Sequence, residues 1–232
     1  MGEQIALFHG SNHIVEHPAY GLGNPRNDYG LGFYCTRNLE LAKEWGASEE
    51  ADGFANEYRF DATGLRMLDL NGGDYTILHW LAVLLENRTF RVSGDIAPLA
   101  KEFLLDRFHV DYAKHDVICG YRADDSYFSF ANAFLNNALS LSRLERAMTL
   151  GNLGEQVVIR TEKAFQRLAF QTAHRAKCAV YYPRKMARDT KARSIYHEEV
   201  KLDDLQGDPT ILVIMQQDWR ADDARLRRVV SR

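Results

Sequence analysis

Four side chains in this sequence have the types and spacing needed to bind a flat cationic ring joined to a ribose: His9, Tyr34, Trp45 and Glu155. Each stands at the edge of a predicted strand or on the helix that follows one. A histidine can hydrogen-bond a ribose hydroxyl, and aromatic faces can stack on a cationic ring. A carboxylate can stabilise positive charge that develops in a transition state. The pattern therefore indicates a cleft for such a ligand.

His9 ends the predicted strand over 4–9 and is followed by Gly10 and Ser11. A neutral imidazole there could hydrogen-bond a ribose hydroxyl. A glycine has no side chain, so a ligand could approach its backbone amide and carbonyl. The alternative is an ordinary surface histidine before a turn glycine, which is the commoner interpretation of this dipeptide alone.

A glycine-rich run over 30–34 leads into a predicted short strand over 33–36. Asn38 is the predicted N-cap of a helix over 39–48, which carries Trp45 eleven residues after Tyr34. Two aromatic faces could sandwich a cationic ring by stacking and cation–π attraction. The glycines also suit a simple bend into a strand, and Trp45 also suits the helix core because Leu41 lies one turn earlier.

Glu155 precedes the apolar run over 157–160, which predicts a buried strand. Its carboxylate could bind a ribose hydroxyl and stabilise a cationic transition state, although a carboxylate at such an edge is often a solvated cap residue. Gln156 competes for this role because successive strand residues point to opposite faces. We favour Glu155 because only this residue carries a charge.

These motifs together resemble the His-Tyr-Glu class of ADP-ribosyltransferases, the class of diphtheria toxin and the poly-ADP-ribose polymerases. The resemblance implies a split β-sheet core flanked by helices, NAD as co-substrate and Glu155 as the catalytic residue. It also implies that the backbone of Gly10 clamps the carboxamide of nicotinamide, while Tyr34 and Trp45 sandwich its ring. Arg26, in the loop before the glycine-rich run, could pair with the pyrophosphate of NAD or be a solvated loop residue.

The acceptor is less constrained than the NAD site. Residue 153 is leucine, where arginine-modifying transferases carry a second acid or an amide, so the resemblance implies an acceptor other than arginine. Candidate acceptor-site residues are Gln156, Asp124 and Asp125, although two aspartates after a strand are more often turn residues. Ala42 stands where polymerases have a serine that helps to bind the carboxamide.

Segments 28–34 and 115–125 resemble an uncharacterised bacterial branch of the same superfamily, often found in toxin-like gene pairs. The resemblance covers roughly residues 5–170. It implies a toxin-like enzyme with a cognate antitoxin as a possible partner. We expect a catalytic domain over 1–170 and a C-terminal extension over 171–232 packed on the same domain.

The composition limits the class of protein. A chain of 232 residues can form one well-buried core, and its net charge of −3 does not favour nucleic-acid binding. Three widely spaced cysteines predict neither a disulfide framework nor a zinc site, and they fit a reducing cytosol. No signal peptide or membrane span is predicted. Runs of strands, then helices, then strands at 179–182 and 211–215 predict an α+β fold.

The sequence therefore predicts a cytoplasmic, NAD-dependent mono-ADP-ribosyltransferase that needs no metal and modifies a protein or a nucleic acid. Two alternatives use the same fold: an NAD glycohydrolase with water as acceptor, and a catalytically degenerate module that binds a nucleotide or a partner. A third is a nucleic-acid modifier with the basic stretch 175–193 as its footprint, although that stretch equally suits a solvated connector.

Overall fold

The computed structural model describes residues 4–90, 94–123, 125–150, 154–201 and 207–229. The chain forms two compact units that interleave in sequence. The first unit contains Met1–Asp69, Tyr112–Arg122 and Gly154–Arg188, and the second contains Leu70–Asp111, Ala123–Leu153 and Asp189–Arg232. The candidate NAD-binding residues and Glu155 all belong to the first unit.

Two β-sheets form the centre of the first unit. The strands are β1 (Gln4–Ser11), β2 (Phe33–Cys35), β3 (Gly53–Asp61), β4 (Met67–Asp69), β5 (Val117–Tyr121), β6 (Glu155–Ile159) and β7 (Leu168–Ala176). One sheet is antiparallel with the order β1-β3-β7, and the other has the order β2-β6-β5-β4 with β4 and β5 parallel. With the helices, these sheets make an α+β fold, as predicted.

The helices divide between the two units. They are α1 (Leu39–Gly46), α2 (Ile77–Asn87), α3 (Ile96–Arg107), α4 (Asp125–Leu135), α5 (Leu141–Leu150), α6 (Glu162–Phe165), α7 (Cys178–Lys201), α8 (Ile211–Gln216) and α9 (Ala224–Val229). α1 and α6 belong to the first unit, and α7 begins there. None of the helices in the described ranges combines the length and the apolar character that crossing a membrane requires.

The two sheets join at one pair of residues in the described strands. The Phe8 amide of β1 donates to the carbonyl of Thr36 at 2.8 Å, and the Thr36 amide donates back at 2.9 Å. Thr36 directly follows β2, so β1 and β2 lie side by side at this pair. This bridge is the one pair between β1 and the end of β2 in the described residues. We call the region beyond it, beside His9 and Gly10, the split.

An apolar core fills the space between the sheets. It contains Leu7, Cys35, Phe60, Ala62, Val117, Cys119, Val157, Ile159 and Ala164. Burial raises the pKa of the Cys35 thiol and raises that of Cys119 to about 12. Both cysteines are therefore neutral and act as small apolar side chains.

Helix α1 rests directly on the backbone of the first sheet. A Cβ atom added to Gly10 would lie 2.2 Å from the Ala42 carbonyl oxygen and 2.7 Å from Cβ of Trp45. A Cβ atom added to Gly53 would lie 2.0 Å from the Gly46 carbonyl oxygen. No real side chain approaches backbone so closely, so glycine at these positions permits the contact.

The opposite side of α1 pairs with the first turns of α7. The buried Glu44 carboxylate accepts two bonds from the Arg188 guanidinium, at 3.0 and 2.8 Å. Glu40 accepts a bond from Arg184 at 2.8 Å. A buried carboxylate needs such a partner, so part of the basic charge in 175–193 is committed to holding α1.

Two predicted strands near the C-terminus are wrong. Residues 179–182 lie in α7, and residues 211–215 lie in α8. A short apolar run has no periodicity that separates a strand from a turn of buried helix. The start of α7 also could not be predicted from the local sequence, because the residue that caps it lies far earlier in the chain. The carboxylate of Asp52 accepts a hydrogen bond from the Cys178 amide at 2.8 Å.

The sequence predicts a short helix that is capped by Thr161 and carries Ala164, Phe165 and Leu168, and this prediction is wrong in part. Thr161 caps α6 as predicted, but the helix is one turn long and Leu168 opens β7 instead of continuing it. β7 is defined by pairing with β3, which lies far earlier in the chain. Residue 170, the expected domain boundary, falls inside this strand.

The sequence predicts an apolar helix that is capped by Asp74 and runs to about Asn87, but the observed helix begins later. α2 starts at Ile77, and its N-cap Thr76 donates its amide to Nδ1 of His79 at 3.0 Å. Burial lowers the pKa of His79 to about 4, which keeps the ring neutral and able to accept this bond. A histidine side chain is not among the usual cap acceptors.

Replacing Gly10 by alanine should destabilise the first unit, because the new methyl group would overlap the Ala42 carbonyl. We expect a loss of about 1–3 kcal/mol in the free energy of unfolding, the usual cost of overpacking, measured by urea titration. Gly73→Ala is the matched control, because a Cβ atom at Gly73 meets open space. Equal stability of the two variants would show that α1 does not rest on β1.

Candidate functional site

His9 bridges the split between β1 and β2. Its Nδ1 atom lies 2.8 Å from the carbonyl oxygen of Tyr34, and its ring lies on Phe33 with 4.2 Å between centroids. A carbonyl only accepts hydrogen bonds, so Nδ1 carries the proton and Nε2 keeps a free lone pair. Burial is the main cause that lowers the pKa of His9, and nearby His13 lowers it further, against the opposing effect of the Tyr34 carbonyl. The ring is therefore neutral.

Gly10 presents its backbone to the split. Backbone amides and carbonyls alternate sides along a strand, so those of Gly10 point the same way as those of Phe8, two residues earlier. The Phe8 groups bond Thr36 across the junction of the sheets. Glycine is needed at residue 10 because a side chain there would overlap α1, whereas we predicted that it gives access to a ligand. The peptide groups of Gly10 nevertheless point toward the split.

Ser11 is held by its neighbours. Its hydroxyl accepts a bond from Nδ2 of Asn56 at 2.9 Å and donates to the carbonyl of His13 at 2.6 Å. Asn56 is fully buried, donates also to the carbonyl of His9 at 3.1 Å, and accepts the amide of Val15 at 2.9 Å. The sequence predicts a strand over 56–60 but no role for Asn56; the polar residue at the start of that strand was the available signal.

The glycine-rich run forms a tight turn closed by Tyr34. The Tyr34 hydroxyl donates to the carbonyl of Gly30 at 2.7 Å and accepts the amide of Tyr29 at 3.1 Å. Gly30 has a φ angle of +73°, which favours glycine. The phenol of Tyr34 is thus engaged within the turn, while the residue remains half-buried.

The two segments at 28–34 and 115–125 fit into each other. Tyr29 is buried, and its hydroxyl donates to the carbonyl of Tyr121 at 2.5 Å. A Cβ atom on Gly120 would lie 2.2 Å from that hydroxyl oxygen, so the phenol occupies the space that a side chain would fill. The glycine and the tyrosine are therefore complementary parts of one contact.

Trp45 lies half-buried on α1, and its ring is covered by a cation. The guanidinium carbon of Arg122 lies 4.4 Å from the ring centroid. Arg122 follows the end of β5, whereas Cβ of Trp45 lies over Gly10 of β1. The Arg122 side chain therefore links the indole on α1 to the end of β5.

Glu155 begins β6 and keeps about a quarter of its side chain exposed. Its carboxylate lies 3.6 Å from the Arg37 guanidinium, with a side-chain exposure of 27%. Gly154 precedes it with a φ angle of +76°, and a Cβ atom there would lie 2.5 Å from Cδ2 of Leu41 on α1. The same helix that carries Trp45 therefore also fixes the start of this strand.

Strand alternation divides the candidate residues between two faces. Tyr34 pairs with Val158, so Gln156 shares its face, while Glu155 lies on the other. The Cα of Gly10 faces α1. Phe8 pairs with Thr36, and Gly10 and Tyr34 each lie two residues from a member of that pair, so both lie on the same face. We call the side that carries Gly10, Tyr34 and Gln156, with Trp45 above it, the α1 face. His9 and Glu155 lie on the opposite face.

The remaining predicted residues are less informative. Arg26 is exposed, and its amide bonds the Asn24 side chain at 2.9 Å. Asp124 and Leu153 lie outside the described residues, and Asp125 begins α4 with a side chain that is also outside them. Asp125 is part of the second unit.

Asp116 is a buried acid whose role is structural. Burial raises its pKa, but bonds from the Arg66 amide at 2.8 Å and the Thr161 hydroxyl at 2.9 Å, with the nearby Lys163 and Arg66 charges, outweigh this and bring the pKa below its usual range. Thr161 caps α6, so this carboxylate orients the cap. The acid in segment 115–125 is therefore explained without a ligand.

NMR should find His9 as the neutral Nδ1–H tautomer at pH 6.5, where half of ordinary imidazoles are charged. Because its folded-state pKa lies below the unfolded value, His9 stabilises the fold above pH 6.5, and this contribution is lost as the pH falls through the folded pKa. Long-range ¹H–¹⁵N spectra check the tautomer, with His9→Gln to assign the signal. A charged ring at pH 6.5 would contradict the lowering of the His9 pKa by burial, and a neutral ring with its proton on Nε2 would contradict the bond to Tyr34.

Comparison with known proteins gives a family. No curated protein and no solved structure matches the chain. A family model described as "Protein of unknown function (DUF3990)" matches residues 5–170, which include the split, the glycine-rich turn and the start of β6. The match covers most of the chain, and the chain therefore belongs to the DUF3990 family.

Proposed function

We propose that this protein is an NAD-dependent mono-ADP-ribosyltransferase of the toxin-like type. The observation that carries the proposal is the bridge between Phe8 and Thr36, beyond which the peptide groups of Gly10 point toward the β2 side of β1. Two half-buried aromatic residues, Tyr34 and Trp45, share the face above that peptide. An amide and an aromatic cation match these features, and nicotinamide in NAD combines both.

A ligand that passes through the split would meet different chemistry on each side. Its ring would lie on the α1 face, between Tyr34 and Trp45. Its ribose would meet His9 and Glu155 on the opposite face, where the free Nε2 lone pair of His9 can accept a bond from a hydroxyl. The two-faced arrangement thus separates ring binding from charge stabilisation.

The proposed reaction breaks the bond between nicotinamide and C1′ of the ribose. The bonding electron pair goes to the pyridine nitrogen, which becomes neutral, and C1′ becomes cationic. The Glu155 carboxylate stabilises this cation. The nucleophile of the acceptor then attacks C1′ and loses its proton to solvent.

The acceptor, the compartment and the regulator follow from the family resemblance. We propose a macromolecular acceptor other than arginine, a cytoplasmic site of action and a cognate antitoxin. The experiment is incubation of the protein and a cell lysate with labelled NAD, followed by separate protease and nuclease digestion. Label lost with protease or with nuclease identifies the acceptor class. Free ADP-ribose as the sole product would instead identify a glycohydrolase, and no nicotinamide release would leave only a binding module.

Glu155→Gln should lower kcat by at least about a hundredfold with little change in NAD affinity, because its charge acts mainly in the transition state. Nicotinamide release measures kcat, and calorimetry measures affinity. Glu50→Gln, which removes the charge of an exposed residue in the same unit, is the matched control. Near-wild-type turnover of Glu155→Gln would refute its catalytic role.

NAD should quench the emission of Trp45, because a stacked cationic pyridinium ring accepts an electron from the excited indole. Trp45→Phe should abolish that signal yet keep partial activity, and Trp45→Ala should keep very little, since stacking needs a ring face. Trp80 and Trp219, both buried residues of the second unit, give the background emission. Wild-type activity in the alanine variant would show that Trp45 is ordinary helix packing.

A further inference from the structure

The indole ring of Trp45 holds a planar cation from its own chain. The guanidinium carbon of Arg122 lies 4.4 Å from the ring centroid. A cation within about 6 Å of an aromatic face is attracted by the electron-rich surface of the ring. Both residues are half-buried and belong to the first unit, so the contact is internal to one compact unit.

Arg122 reaches the indole from the sheet that contains β5. It directly follows Tyr121, the last residue of that strand, and strand alternation places it on the side of Gly120. Gly120 pairs with Gln156, so this side is the α1 face, which also carries Tyr34. The part of the indole that is turned toward Tyr34 is therefore also the part that Arg122 approaches.

The base of the Trp45 side chain is packed against the other sheet. A Cβ atom added to Gly10 would lie 2.7 Å from Cβ of Trp45, so α1 presses this residue onto β1. The side chain thus begins in contact with one sheet and ends in contact with a cation from the other.

A guanidinium and a pyridinium ring compete for the same kind of surface. Both are flat, both spread their charge over a plane, and both stack on aromatic faces. Carbon atoms in contact lie about 3.5–4.0 Å apart, so the Arg122 guanidinium fills the layer that a stacked ring would occupy. One face of Trp45 can hold only one of the two groups at a time.

We infer that Arg122 is an internal competitor for the ring-binding face of Trp45, and that nicotinamide stacks there only after it displaces the guanidinium. The inference rests on the proposed function, since it takes nicotinamide as the ring and Trp45 as its platform. Arg122 covers the indole whenever no ligand is stacked on it. Displacement costs every ring the same, so Arg122 lowers the affinity for NAD and for nicotinamide alike.

NMR titration with nicotinamide tests the competition. The indole N–H signal of Trp45, assigned with Trp45→Phe, reports binding at this ring. Arg122→Ala should bind nicotinamide about threefold to thirtyfold more tightly, the range that the loss of one cation–π contact corresponds to. Arg59→Ala, which removes an exposed arginine from the same unit, is the matched control and should bind as the wild type does. Arg122→Lys keeps a cation on a long side chain and should stay within about twofold of the wild type.

A neutral probe separates displacement from charge repulsion. If Arg122 only repelled a bound cation, Arg122→Ala would tighten binding of the cation 1-methylnicotinamide and leave binding of neutral nicotinamide unchanged, and that result overturns the inference. Weaker nicotinamide binding by a folded Arg122→Ala protein also overturns it, because Arg122 would then support the indole from behind. ADP-ribose, which lacks the nicotinamide ring, should not bind more tightly to the variant.

Thermal unfolding shows whether the variants are folded. If Arg122→Ala does not fold, Arg122→Gln, which removes the cation and keeps a polar side chain, carries the same prediction. Absence of nicotinamide binding in both the wild type and the folded variant overturns the inference.

Turnover of NAD is measured separately. Tighter nicotinamide binding by Arg122→Ala in a protein without turnover supports the competition and refutes the transferase alone. Turnover together with unchanged nicotinamide binding in the folded variant refutes the competition alone.

Discussion

The close approach of α1 to the strands is the constraint on which the rest of the first unit depends. Gly10, Gly46 and Gly53 let backbone touch backbone, and Gly154 makes room for Leu41 of the same helix. One short helix thereby fixes the end of β1, the start of β6 and the position of Trp45. Its other side is held by the buried Glu44–Arg188 pair, so neither surface of α1 is free to shift.

The junction of the sheets turns this packing into a site. Because β1 and β2 bond only at Phe8 and Thr36 among the described strands, the peptide at Gly10 faces a split while its neighbours stay rigidly paired. The imidazole of His9 crosses the split to Tyr34 and fixes its own tautomer in doing so. A site built from paired strands is pre-organised, and little ordering is needed when a ligand binds.

Buried polar groups explain much of the motif content without any ligand. Asn56 ties the segment after β1, Asp116 orients the cap of α6, and Tyr29 fills the space beside Gly120. Each has its partners, as buried polar groups normally do. Four buried side-chain atoms among the described residues have no hydrogen-bond partner: Nε1 of Trp45, Nδ1 of His115, Oε1 of Gln156 and Nε of Arg160.

Local patterns determined most elements up to residue 165 and the residue types of the site. The caps at Asn38 and Thr161 and the apolar run of β6 involve only a few neighbouring residues, so they can be predicted without knowledge of the fold. Elements that depend on distant partners could not be predicted in this way, because β7 pairs with β3 and α7 is capped by Asp52. The tertiary structure alone decided which site residues share a face, because face depends on strand register, and register is set by pairing between segments far apart in the chain.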